Sequence, residues 1–197
     1  SFYNESKDKP IPPSPIISCL GRIQDVKKAI TMSFKRENSS IILIGKRKNE
    51  LGGSIFYDLH NELGKNVPNP DLNEVKNQIY GITDCIEKGL VFACHDISEG
   101  GVAASLCEMT FGNSIGCSVN IESKLSTEKT LFSETGGFIL ETKNENIESI
   151  DSIFNQYKLD IYVIGITGGN KIKLNNAINI TVDDAKKSWE NGLRDKL

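Results

Sequence analysis

The stretch over residues 90–104, LVFACHDISEGGVAA, constrains this chain more than any other. Its apolar run over 90–94 reads as a buried strand. That run enters a polar turn, His95-Asp96-Ile97-Ser98, and a helix over 99–110 then opens with Gly100, Gly101 and small residues. A strand that feeds a tight turn and a glycine-rich helix start presents backbone N–H groups to an anion. Ser98 or Asp96 is placed to cap the first turn. Two glycines at a helix start cost stability, so propensity does not explain them. Either they leave room for a ligand to approach the backbone, or they let the helix pack tightly on the strand. Both readings stand on the residues alone.

Around this stretch the pattern mixes strands and helices. Residues 41–44, Ile-Ile-Leu-Ile, predict a buried strand that ends at Gly45 and enters the loop KRKNELGGS over 46–54. A helix is read over 55–63. The loop is a second candidate for ligand contact, with a solvated basic turn as its alternative. Asp71 and Glu74 make a capping-box-like start. The helix that follows carries Leu72, Val75, Ile79, Ile82 and Ile86 as one apolar stripe, read as core packing, and Lys88 and Gly89 close it. In helix 99–110, Val102, Leu106 and Met109 are expected to face inward. Strands are read over 115–121, 138–141, 161–166, 171–174 and 178–182, and a helix over 147–157. Ser126 caps a short turn. Gly168-Gly169-Asn170 reads as a hairpin turn. Thr181 and Asp184 cap a last helix carrying Ala185 and Trp189.

Residues 16–23, apolar around Gly21, also read as a strand. Pro10, Pro12, Pro13 and Pro15 forbid a helix over 1–17, which reads as an extended linker from an upstream domain. Residues 18–197 remain as one domain. Strict strand–helix–strand alternation is missing, so the expected class is α+β, a mixed β-sheet covered by helices.

The 197 residues, 38% hydrophobic, suffice for one ordinary core. The net charge of −3 is interspersed and forms no basic stripe, which argues against a nucleic-acid partner. No apolar run has the length of a membrane span, and no signal peptide is read. Five cysteines at irregular spacing give neither a zinc signature nor an even disulfide set. Cys94 and Cys107 read as reduced core residues, which points to a cytoplasmic location. His95 and Asp96 are adjacent, so their side chains are expected to diverge and not to pair. His60, the other histidine, shows no metal spacing, and no metal site is expected. No nucleophile elbow, Walker loop or complete catalytic constellation is present.

The nine residues His95-Asp96-Ile97-Ser98-Glu99-Gly100-Gly101-Val102-Ala103 resemble the HD-x-S-x-GG-(L/V)-A motif of the phosphoribosylformylglycinamidine synthases. These enzymes, also called formylglycinamide ribonucleotide amidotransferases, belong to the aminoimidazole ribonucleotide synthetase-like superfamily. Further matching pieces follow in family order: Ser1-Phe2-Tyr3-Asn4-Glu5, Pro13-Ser14-Pro15, Asn49-Glu50-Leu51-Gly52-Gly53-Ser54, Leu131-Phe132-Ser133-Glu134 and Val163-Ile164-Gly165. The resemblance is to the last domain of the synthase subunit, the C-terminal half of its second repeat. It implies a fold like the C-terminal domain of aminoimidazole ribonucleotide synthetase.

The resemblance also implies an activity for the longer enzyme. That enzyme is a C–N bond-forming ligase of purine biosynthesis, which converts formylglycinamide ribonucleotide, ATP and ammonia to formylglycinamidine ribonucleotide. Magnesium neutralises the triphosphate in such a transfer. The implied partners are the upstream domains, a glutaminase subunit or domain that supplies ammonia, and the ribonucleotide substrate. The ligand-binding residues it implies here are His95, Asp96, Ser98, Gly100, Gly101, Ser133, Glu134, Glu50, Gly52 and Gly53. Ser133-Glu134-Thr135-Gly136-Gly137 matches the first two positions of a Ser-Glu-Ser-type loop, which binds the ribonucleotide in the other repeat, and then departs. The departure suits a repeat whose site has become structural. The family's catalytic histidine and most of its magnesium ligands lie in other domains. The resemblance thus implies no catalytic residue, no metal ligand and no firmly held cofactor in this chain, which is expected to be inactive alone. Two alternatives are a structural, pseudosymmetric half that binds nucleotide only for stability or not at all, and a relative such as aminoimidazole ribonucleotide synthetase or selenophosphate synthetase. Asp96-Ile97-Ser98-Glu99, in place of a Thr-Gly-Gly-type turn, speaks against the relative.

Overall fold

The computed structural model describes residues 5–6, 9–11 and 16–192. A short antiparallel ladder joins β1 (Glu5–Ser6) to β2 (Lys9–Pro10). The Ile-Ile-Leu-Ile run forms β3 (Ser40–Ile44), buried along its whole length. Side chains of a strand alternate between faces. Ile41 and Leu43 enter one hydrophobic core, Ile42 and Ile44 a second. A strand apolar on both faces requires cover on both, and the sheet accordingly lies between two helical layers.

The main sheet is completed by β4 (Val91–Asp96), β5 (Cys117–Val119), β6 (Phe138–Thr142), β7 (Ile161–Thr167), β8 (Lys171–Leu174) and β9 (Ile178–Thr181). Its order is β4-β6-β3-β7-β5-β8-β9. Neighbours are antiparallel except β5 and β8, which run parallel. The helices are α1 (Ile55–Asp58), α2 (Leu72–Glu87), α3 (Gly101–Phe111), α4 (Thr127–Phe132), α5 (Ile147–Gln156) and α6 (Val182–Asn191). Ile82 and Cys85 of α2 join Ile150, Ile153 and Phe154 of α5 over one face. Val102, Leu106 and Met109 of α3, with Leu131 of α4 and Val182 of α6, cover the other. This is the mixed sheet with helical cover that the sequence predicts.

Three of the predicted caps form. The Asp71 carboxylate accepts the N–H groups of Asn73 and Glu74 at 2.8 and 3.2 Å. The Thr181 hydroxyl oxygen accepts the N–H of Asp184 at 3.1 Å, and Ser126 caps α4. Among the described residues no helix is long and apolar enough to cross a membrane.

Several expectations are corrected. Residues 16–23 form no strand; Ile16, Ile17 and Leu20 are each at least 90% exposed. Their apolar composition finds no neighbouring strand to pair with. The helix read over 55–63 stops at Asp58. Asn61 and Gly64, both at positive φ, turn the chain back over Tyr57. The α2 stripe is rotated: its buried residues are Gln78, Gly81, Ile82 and Cys85, while Leu72 is 78% exposed. The rotation follows Gly81, where a Cβ would lie 2.8 Å from the Phe154 ring, so α2 meets α5 through its smallest residue. Strand β4 runs on through His95 and Asp96, which pair with Ile139 and Phe138, so the turn begins at Ile97. Gly168-Gly169-Asn170 joins β7 to β8, but the two are not paired, because β5 lies between them. Gly116 donates its N–H to Gly169 and accepts that of Gly168, each at 2.7 Å, threading β5 into the gap. Residues 1–4 and 12–15, which carry two of the family-like pieces and three of the prolines, lie outside the described residues.

Candidate ligand site at the meeting of three loops

Three segments that are distant in sequence converge at the C-terminal end of β3: 45–55, 97–101 and 133–137. Glu134 is their hub. Its Oε1 accepts the backbone N–H of Ile55 at 2.9 Å and that of Gly100 at 3.0 Å. The Ser133 hydroxyl donates to the Glu50 carbonyl at 3.1 Å and lies 2.9 Å from the Thr135 hydroxyl. Thr135 donates to Glu50 Oε2 at 2.7 Å. Arg47 Nη1 and Nη2 donate to the carbonyls of Thr135 and Gly136, both at 2.6 Å. Ile97 donates its N–H to the Gly137 carbonyl at 2.9 Å. Ser133, Glu134 and Glu50 are thus brought into one network with the turn before α3.

The glycines have backbone reasons to be where they are. Gly100, at φ +75°, is itself the N-cap of α3, which has no side-chain cap. Neither Asp96 nor Ser98 caps the helix through its side chain; the Ser98 carbonyl accepts the N–H of Gly101 at 3.1 Å. The left-handed conformation that Gly100 adopts is one that other residues enter at a cost. Gly101 is also left-handed, and a Cβ there would lie 2.8 Å from backbone atoms of Leu131, Phe132 and Ser133. Gly52 faces the Asn66 backbone at 2.7 Å in the same sense and donates its N–H to the Asn66 carbonyl at 2.7 Å. Gly53, at φ +70°, donates to Leu63 at 2.7 Å. Of the two readings left open by the sequence, the packing contacts are in place.

His95 corrects a further expectation. Its Nδ1 lies 3.2 Å from Asp96 Oδ1, so the adjacent residues do interact. Asp96 ends the strand, and its exposed carboxylate turns back to the ring. His95 Nε2 lies 2.9 Å from Glu108 Oε2 on α3, a partner that the sequence did not single out because a lone glutamate within an apolar helix carries no pattern. His60 places Nδ1 2.8 Å from the Phe56 carbonyl.

A cavity of about 230 Å³ opens beside Glu134, with Lys46, Lys48, Glu50, Asp71 and Glu74 on its walls. Lys46 also reaches Asp160 at 3.0 Å, which raises the lysine and lowers the carboxylate from their ordinary pKa values. Burial pulls the Arg47 guanidinium down to about 10, against the attraction of Glu50 and Glu74. Asp160 was not picked out from sequence, and Lys46 and Arg47 lay in the candidate loop 46–54 without being named as site residues. A lysine–arginine run reads as a solvated turn until its partners from other segments are known.

Residues 36–175 match the family of the AIR synthase related protein, C-terminal domain. The chain belongs to that family. Among relatives of this AIR synthase related domain, the phosphoribosylformylglycinamidine synthase subunit PurL of Methanothrix thermoacetophila is 33% identical over 204 residues, covering 100% of this chain and 27% of the relative. PurL of Thermococcus sibiricus is 38% identical over 163 residues, covering 80% of this chain and 23% of the relative. The chain therefore spans about a quarter of the length of these curated relatives. T. maritima PurL complexed with FGAR superposes with a TM-score of 0.70 at 17% identity, over 81% of this chain and 30% of that one. Thiamine-monophosphate kinase from Stenotrophomonas maltophilia K279a superposes at 0.51 with 12% identity, over 75% and 53%. The fold is thus shared by enzymes of different names, and fold alone does not assign chemistry.

The site of this AIR synthase related domain can be set against the groups its family implies. The N–H donors of Ile55 and Gly100 already face a carboxylate, so a phosphate does not fit at them while Glu134 is in place. Among the described residues no group of three or more His, Cys, Asp or Glu side chains is arranged to hold a metal ion.

Proposed function

We propose that this chain is the C-terminal synthetase-like domain of a phosphoribosylformylglycinamidine synthase, with residues 1–17 as the linker from the domains before it. The longer enzyme amidates formylglycinamide ribonucleotide at the expense of ATP, with magnesium and with ammonia released from glutamine by a glutaminase partner. The observation that carries this reading is the 33% identity to PurL across the whole chain. The convergence of its family-like pieces around Glu134 supports it. This domain supplies a wall of the enzyme, not its reacting groups. Five free thiols, one of them exposed, suit a reducing cytoplasm. The test is an assay of ADP and amidine formation with the ribonucleotide, ATP, magnesium and ammonium ion. Turnover is expected from the intact enzyme and not from these 197 residues alone. Failure of the intact enzyme overturns the assignment, and turnover by the chain alone overturns the division of labour.

One observation favours a structural version of this reading. Glu134 supplies an internal anion to the glycine-rich turn, while Ser133 and Thr135 spend their hydroxyls on Glu50. In that version the turn is closed in the working enzyme. Saturating nucleotide should then leave hydrogen exchange over 97–101 unchanged in the intact enzyme; protection there would restore a ligand role to His95, Asp96, Ser98, Gly100 and Gly101.

A further inference from the structure

We infer that the Glu134 carboxylate is a latch that makes the starts of α1 and α3 open as one unit. Both helix starts have N–H groups that no residue of their own helix can accept. Each donates one of these to the same oxygen: Ile55 at 2.9 Å and Gly100 at 3.0 Å. The two donors are far apart in sequence, and Glu134 comes from a third segment. When the carboxylate swings away, both donors lose their acceptor together.

The three segments differ in what else holds them. Helix α1 is one turn long and has little stability of its own. Its other ties include Ser54, whose hydroxyl donates to the Leu51 carbonyl at 2.7 Å and accepts the N–H of Tyr57 at 3.3 Å, and the Phe56 ring, stacked on Phe132 at 4.7 Å. Phe132 immediately precedes the segment that carries Glu134. The start of α3 rests on that segment as well, through Gly101 against residues 131–133. On the far side, Arg47 and Glu50 fasten the loop 133–137 to the end of β3. The loop is therefore anchored to the first part of the 45–55 segment, and it meets both helix starts through one charge-assisted acceptor. This coupling holds whichever role the site has in the enzyme.

Hydrogen exchange read by mass spectrometry on the intact protein tests it. In Glu134→Ala, exchange is expected to rise by roughly tenfold in both 51–58 and 98–104, with 72–87 unchanged. Glu134→Gln keeps an oxygen acceptor without the charge, and should give smaller rises of the same sign in both segments. The decisive variant is Ser54→Ala, which loosens α1 without touching α3. It should raise exchange over 98–104 when Glu134 is present, and add nothing there in a Glu134→Ala background. A Ser54→Ala effect confined to 51–58, or one over 98–104 that persists without Glu134, overturns the latch. If Glu134→Ala does not fold, as judged by circular dichroism, the same cycle is run with Glu134→Leu, which also removes the acceptor, and the same outcomes decide.

Discussion

The carboxylate of Glu141 accepts the backbone N–H of Lys35 at 2.7 Å across the sheet face. Its other oxygen accepts the N–H of Arg36 at 2.9 Å, and the side chain is fully buried. Glu141 thus gives the segment before β3 a pair of acceptors that no strand supplies. Glu141→Ala leaves two part-buried donors without their acceptor and is expected to cost roughly 1–3 kcal/mol in urea unfolding. Glu141→Gln presents an amide N–H₂ to one of those donors and should also destabilise. Wild-type midpoints in both variants would show that water replaces the carboxylate at no cost.

Gly101 and Gly89 allow conformation and contact to be separated. Both are left-handed, at φ +65° and +68°, but a Cβ on Gly89 meets nothing within 4 Å. Gly89→Ala is expected to cost about 1–2 kcal/mol, the backbone term alone. Gly101→Ala should cost more, because its Cβ also presses on the 131–133 backbone. Equal losses in thermal unfolding would remove the packing explanation of Gly101.

Gly81 lies inside α2, where alanine is worth about 1 kcal/mol more helix propensity. Gly81→Ala is nevertheless expected to destabilise, since its Cβ would lie 2.8 Å from Phe154. In a Phe154→Leu background the same change should become neutral or stabilising. A stabilising Gly81→Ala in the wild-type background would show that α5 moves aside freely.

The thiols set an alkaline limit. Burial pushes Cys94 and Cys117 up to about 12 and Cys85 and Cys107 to about 11, from an ordinary 9.0. Above pH 9 the unfolded chain releases these protons and the native one holds them. The unfolded state then binds fewer protons, so stability is complete below pH 9 and falls as pH rises toward 11–12. A chemical-denaturation series from pH 8 to 11 should show that decline, and replacing Cys94 and Cys117 by alanine should flatten it. All five cysteines are free and Cys19 is exposed, so one thiol should react quickly in the native state and the rest on unfolding.

Features carried by neighbouring residues were legible in the sequence. The β3 run, the caps at Asp71, Ser126 and Thr181, and the inward face of α3 each follow from a local pattern. Features made by distant segments were not. The sequence put Glu134, Glu50 and Gly100 in separate candidate loops, and nothing local says that one carboxylate would serve Ile55 and Gly100 together. The α2 stripe misled because Gly81, chosen by the approach of Phe154, outweighs the apolar spacing. The glycine turn at 168–170 has hairpin chemistry, but Gly116 competes for its backbone groups and wins. Apolar residues 16–23 carry strand propensity without a partner, which is composition without structure.

The position of β5 between β7 and β8 has a consequence for synthesis. On the ribosome, residues 117–119 emerge well before either strand that flanks them. Until β7 and β8 follow, β5 has two unpaired edges, and the right half of the sheet cannot close by local steps. A nascent chain halted after β6 would expose Cys117 and Val119, which belong to the core. Translation through residue 174 is thus the point at which both edges of β5 can be covered.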